Sequence, residues 1–222
     1  MGRFILITLL FVVVVTSSLV GAQQLVSTEQ KFLFMALVAV PSREKDSPPE
    51  RICSGVFVNV QGKKQIITLN HCTGKDFSVV LFKNKQVCPA TKAKNLDENV
   101  ALLDVAADCN LSGITAIDIE RAKIADKAEV SPGSIAVGSK NGINWAIGAH
   151  CHIDSQDERW LTTDCLLLPN MVDRAERMGS PLVSSNGKLL GVFTFSRSYE
   201  SSGVVSKRDT IYTRISNLIG EK

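Results

Sequence analysis

An all-β fold is what this sequence predicts, and two observations carry the prediction. Short apolar segments recur along the chain, separated by turn signals such as Gln61-Gly62, Ser112-Gly113, Pro132-Gly133 and Asn141-Gly142. No long stretch repeats its apolar residues with the period of an amphipathic helix. A barrel and a sandwich both satisfy this pattern. With 222 residues, 45% of them hydrophobic, the chain can fill one sizeable core or two small ones.

The N-terminus reads as a secretory signal peptide over residues 1–22. Arg3 precedes an apolar run over 4–15, broken only by Thr8, and small residues stand before Gln23. The run is short for a membrane span. A soluble, extracellular mature protein starting near Gln23 is expected. Six cysteines, an even number, then read as disulfides, since that compartment is oxidising.

Residues 32–40 form an apolar segment that reads as a buried strand. The charged segment 42–51 carries Pro48-Pro49 and reads as a surface loop. Strands are expected over 52–58 and 65–69, joined by the turn at Gln61-Gly62 and leading into Asn70-His71-Cys72. Residues 83–94 are locally basic and read as a solvated face. Val100-Ala101-Leu102-Leu103 is an apolar run behind Asp97-Glu98-Asn99. Asn110-Leu111-Ser112 is an N-glycosylation acceptor. A short strand is expected over 135–138, between its two turn signals.

Lys and Arg total 25 against 22 Asp and Glu, a net charge of +3 with no dense basic run. Neither nucleic acid nor an anionic membrane is indicated as a partner. His150 and His152 flank Cys151 and would share one face of a strand. A tetrahedral metal site needs three or four ligands, and no third lies nearby. No Cys-x-x-Cys pair is present either, so neither a metal nor a cofactor is expected.

The most informative stretch is 175–183, Ala-Glu-Arg-Met-Gly-Ser-Pro-Leu-Val, followed by the turn Asn186-Gly187-Lys188 and a strand over 189–195. It resembles the nucleophile segment of the trypsin-like serine peptidases, Gly-Asp-Ser-Gly-Gly-Pro-Leu-Val. Asn70-His71-Cys72 resembles that family's Ala-Ala-His-Cys, Asp97 to Leu103 its Asp-Asn-Asp-Ile-Ala-Leu-Leu, and residues 209–219 its closing Tyr-Thr-Arg-Val-Ser-Asn segment. The resemblance covers nearly the whole mature chain. It implies two six-stranded antiparallel β-barrels, about 23–120 and about 121–222, and a short C-terminal helical turn. It also implies disulfides Cys53–Cys72 and Cys151–Cys165, which leaves Cys88 with Cys109.

The same resemblance implies that the chemistry has been lost. His71 falls at the catalytic histidine, but Asn99 stands at the orienting aspartate and Met178 at the nucleophile. A thioether has no proton to lose and cannot attack a carbonyl. Asparagine at the orienting position favours the wrong imidazole tautomer, at a cost of roughly 10⁴ in turnover. Glu176 replaces a glycine of the oxyanion hole, and Arg177 replaces the aspartate that receives a freed N-terminus. Consistently, the basic cleavage site followed by Ile-Val-Gly-Gly is missing. In the specificity pocket, Val172 takes the counter-charge position, with Phe195 and Ser196 on the lining strand. The bridge at the pocket base is also gone, with Arg174 near its first cysteine position.

An alternative is an active serine-type endopeptidase that uses Ser180. Two positions along an extended chain move a hydroxyl by roughly 6 Å, whereas a base must lie within about 3 Å. The expectation is therefore a secreted pseudo-protease that binds an extracellular protein, an active serine protease or its substrate. Residues 42–51 and 197–208 are the surface loops considered for the binding face.

Overall fold

The computed structural model describes residues 33–44, 47–137, 143–148, 150–165, 177–201 and 204–219. The leader read at 1–22, the turn Asn141-Gly142, Val172, Arg174 and Glu176 lie outside the described residues. Within Phe34–Lys222 the chain forms two closed antiparallel barrels.

The first barrel contains β1 (Met35–Val40), β2 (Arg51–Val60), β3 (Lys63–Leu69), β4 (Ser78–Phe82), β5 (Val87–Asn95) and β6 (Val100–Val105). They pair in the order β1-β2-β3-β6-β5-β4, and β4 returns to β1. The second contains β7 (Glu129–Val137), β9 (Cys151–Gln156), β10 (Trp160–Thr163), β11 (Pro181–Ser184), β12 (Leu189–Ser201) and β13 (Val204–Arg214), with β8 (Ile143–Ile147) a hairpin partner of β7. Its closed path is β7-β9-β10-β13-β12-β11 and back to β7. Both barrels thus use one strand order, which is compatible with a trypsin-like fold.

Local sequence accounts for these elements. Val60 pairs directly with Lys63, so only Gln61 and Gly62 turn the corner, at φ 52° and 80°. Both central residues are left-handed, as tight hairpin turns demand. In β4 alternate residues Ser78, Val80 and Phe82 point inward. Phe82 meets Phe57 edge to face at 5.5 Å in the first core. The second core gathers Val130, Ile153, Leu161, Leu182, Leu190, Phe193 and Tyr212.

Two expectations are corrected. Pro132-Gly133 lies inside β7 and does not form a turn. At this point β7 passes from pairing with β11 to pairing with β8, where a missing N–H is tolerated. Residues 197–208 are no loop: β12 and β13 continue as a ribbon in which Arg197 pairs with Asp209 and Ser201 with Val204. The sequence there is mostly polar and does not alternate regularly, so it gives no clear strand signal.

Three disulfides join Cys53 to Cys72, Cys88 to Cys109 and Cys151 to Cys165, each within one barrel. The segment between the barrels touches both. Ile117 N–H donates to the Phe57 carbonyl, while Glu120 N–H donates to the Leu189 carbonyl. After β13, residues 215–219 form a turn in which Ile219 N–H donates to the Ile215 carbonyl. Among the described residues no helix is long and apolar enough to cross a membrane.

Candidate functional site

The site is built on the turn from Arg177 to Ser180, closed by Ser180 N–H donating to the Arg177 carbonyl at 2.8 Å. Gly179 takes φ 88°, which strongly favours glycine. A β-carbon there would also stand 2.3 Å from the Ser54 carbonyl oxygen. The turn therefore lies directly on β2 of the first barrel. Ser54 N–H donates to the Met178 carbonyl at 2.8 Å, and the buried Thr68 hydroxyl holds the Ser54 carbonyl at 2.7 Å.

Met178 is half-buried and packs against the second barrel's core. A thioether on three rotatable bonds fits such an irregular margin well. Arg177 is buried, and its charge acts on the phenol of fully buried Tyr212. Burial is the larger influence and pushes that phenol well above its ordinary value. Ser180 is only 4% exposed.

His71 sits in a 3-10 turn, Asn70–Cys72, directly after β3. The Cys53–Cys72 bridge ties this turn to the residue preceding Ser54. From the other side, Asn70 N–H donates to the Asn99 carbonyl at 2.7 Å, and the Asn70 amide donates to the Asp97 carbonyl at 2.8 Å. A continuous run of bonds thus links Met178 to His71 and Asn99. Partial burial of the imidazole, reinforced by the Arg51 charge, lowers the His71 pKa below 6.5. Arg51 also donates to the His71 carbonyl at 2.5 Å. Both influences favour the neutral form of the ring.

The Asp97 carboxylate, two residues before Asn99, is engaged within its own loop and with Arg159. Asp97 Oδ1 accepts the N–H groups of Asn99 and Val100 at 2.8 and 2.7 Å, which caps its own loop. Its Oδ2 faces Arg159 of the second barrel at 3.4 Å, and Arg159 also reaches Glu98 at 2.5 Å. A cavity of about 440 Å³ lies here, bordered by Asp97, Glu98, Glu158, Arg159 and Asn217. The Arg159 guanidinium stacks over Trp160 at 4.7 Å, and Trp160 meets Phe195 edge to face at 5.4 Å.

Phe195 and Ser196 pair with Ile211 and Thr210 on β13, and Phe195 is 36% exposed. Val172 and Glu176, the other residues read into the pocket and oxyanion hole, fall outside the described residues. His150 contacts Ser131 and Glu129, whereas His152 contacts Asp164, so the two have separate partners. Among the described residues, Cys53, His71 and Cys72 alone cluster with metal-ligand spacing. Their two sulfurs are bonded to each other and offer no thiolate. Asn110 is exposed, and its side chain accepts the Ser112 N–H at 2.9 Å in a local turn.

No model of a known protein family matches this chain, and no curated protein matches it. The likeness to the peptidases therefore rests on the motif residues and on the shared strand order of the barrels.

Sequence reading missed the contact of Arg159 with Asp97 and Glu98. The local signal was Asp157, which caps the turn by accepting the N–H groups of Arg159 and Trp160, but nothing local names the far partner. It also missed the Arg51 bond to the His71 carbonyl.

Proposed function

We propose that this chain is a secreted homologue of the trypsin-like serine peptidases that has lost catalysis and acts by binding an extracellular protein. An active serine peptidase or its substrate is the partner class to test first. The observation that supports the reading is the turn at 177–180, which seats on Ser54 of β2 and bears Met178, the residue that the motif resemblance sets at the nucleophile position. Around it, Asn99 offers no carboxylate, and partial burial and Arg51 favour the neutral form of His71. In enzymes of this class, loss of a single triad member costs on the order of 10⁴ to 10⁶ in turnover.

The leader at 1–22 and the three disulfides support an oxidising, extracellular location. In this reading the mature chain begins near Gln23, with barrels at about 23–120 and about 121–222, and carries a glycan on Asn110. The burial of Ser180 counts against its use as a displaced nucleophile.

The test is reaction of the purified protein with a fluorophosphonate probe, together with digestion of a broad peptide library. Neither labelling nor cleavage is expected. Stoichiometric labelling that maps to Ser180 and disappears in Ser180→Ala would overturn the reading in favour of an active endopeptidase.

A further inference from the structure

Behind the His71 turn lies a second cavity of about 440 Å³, separate from the one beside Arg159. Its charged and polar walls come from distant parts of the first barrel: Glu50, Arg51, Asn70, Thr73, Lys75 and Lys92. Three cations converge on it against one carboxylate. Arg51 uses one nitrogen on the His71 carbonyl and keeps its other donors. Among the described residues neither Lys75 nor Lys92 pairs with a carboxylate. A concave site lined by one sign of charge concentrates the opposite ion.

The other walls narrow the ligand class. No aromatic residue borders the cavity, so it has no platform on which to stack a base. Val40 is its one aliphatic wall, too little surface for an acyl chain. The Asn70 amide already donates to Asp97, and the Thr73 hydroxyl to the Asn70 carbonyl. Glu50 adds an exposed carboxylate that accepts hydrogen bonds from hydroxyl groups. Cations for oxyanions, beside acceptors for hydroxyls, match a sugar that carries both.

We propose that this cleft binds a sulfated sugar segment of an extracellular polysaccharide, with Arg51, Lys75 and Lys92 holding the sulfate groups and Glu50 a sugar hydroxyl. The site is independent of the pseudo-protease reading. It is adjacent to His71 without requiring any chemistry from it. Arg51 links the two: an anion that offsets its charge removes one of the two influences lowering the His71 pKa.

The experiment is calorimetric titration of the folded, secreted protein with a sulfated hexasaccharide prepared from heparin, with His71 followed by NMR over a pH series. The double variant Lys75→Gln with Lys92→Gln should weaken binding by roughly tenfold or more. A control double variant, Lys63→Gln with Lys64→Gln, removes the same charge from the exposed start of β3 and should bind like the parent. Hexasaccharide should raise the His71 titration midpoint in the parent, and in the Lys75/Lys92 variant the same rise should require roughly tenfold more ligand. Equal loss in both double variants would reduce the effect to net charge and overturn the site. Binding without a His71 response would place the ligand elsewhere. Full reproduction of the effects by inorganic sulfate at equal sulfate concentration would overturn the sugar assignment.

Discussion

The carbonyl oxygen of Ser54 occupies the space that a side chain on Gly179 would need, 2.3 Å from the β-carbon position. This contact presses the turn that bears Met178 onto β2, and the Ser54 N–H to Met178 carbonyl bond fastens it there. Gly179→Ala must both clash and adopt a left-handed φ. The expected loss of stability is more than about 2 kcal/mol, measured by denaturant unfolding. A neutral outcome would mean the turn is not seated on β2 as described.

Restoring the hydroxyl alone should not restore activity. On the proposed reading, Met178→Ser leaves an amide, Asn99, at the orienting position and Glu176 at the position of an oxyanion glycine, where donors are needed. The variant should stay unreactive to a fluorophosphonate. Met178→Ser combined with Asn99→Asp and Glu176→Gly should give at most a trace of labelling. Robust labelling of the single variant would show that the remaining machinery is intact.

Glu120 ties the linker to the turn before β12 and should make stability pH-dependent. Its carboxylate accepts the Asn186 amide at 2.8 Å and the Ala122 N–H at 3.0 Å, and these bonds lower its pKa below 4.5. A depressed carboxylate contributes stability that is present above its ordinary value and lost as pH falls through the folded value. Thermal unfolding of the parent should therefore weaken on acidification below about pH 4.5. Glu120→Gln should start less stable and show a shallower decline over that range.

His71 should give a second, higher step. Its folded pKa lies below 6.5, first through partial burial and then through Arg51. The unfolded chain binds the proton first on acidification, so stability is complete above pH 6.5 and declines as pH falls through the folded value. His71→Gln should flatten this step. Arg51→Gln should raise the His71 titration midpoint only part of the way to 6.5, since burial remains.

Peptide mapping without reductant should recover Cys53 with Cys72, Cys88 with Cys109 and Cys151 with Cys165. Protein secreted from eukaryotic cells should begin near Gln23 and remain a single chain. A bridge between the barrels, or a specific activating cut, would contradict the architecture and the proposed absence of activation.

The all-β class was legible because turns and apolar segments are local signals, whereas the double barrel was implied only by the resemblance of the motifs. Gly62 at a two-residue corner and alternation in Ser78–Phe82 need no knowledge of partners. Other features escaped because their causes are tertiary. Pro132 reads as a turn until β7 is seen changing partners at that residue. The ribbon after Phe195 has no apolar face to announce it. Arg159 meets Asp97 and Glu98, and Lys75 comes near Lys92, only after the barrels have closed. The shape of a motif survives in its glycine, proline and apolar positions, whereas the loan of a charge from a distant strand leaves no local mark.

Every sulfur bridge stays inside its own barrel, so one stretch of main chain is the only covalent path from the first half of the molecule to the second. A protease that nicks the connector between Cys109 and Glu129 would produce fragments that separate on a denaturing gel without any reducing agent. In native buffer the two pieces should still travel together, held by the seat of Gly179 on Ser54 and the contact of Arg159 with Asp97 and Glu98. Independently expressed halves would be a direct way to weigh how strongly the barrels hold each other.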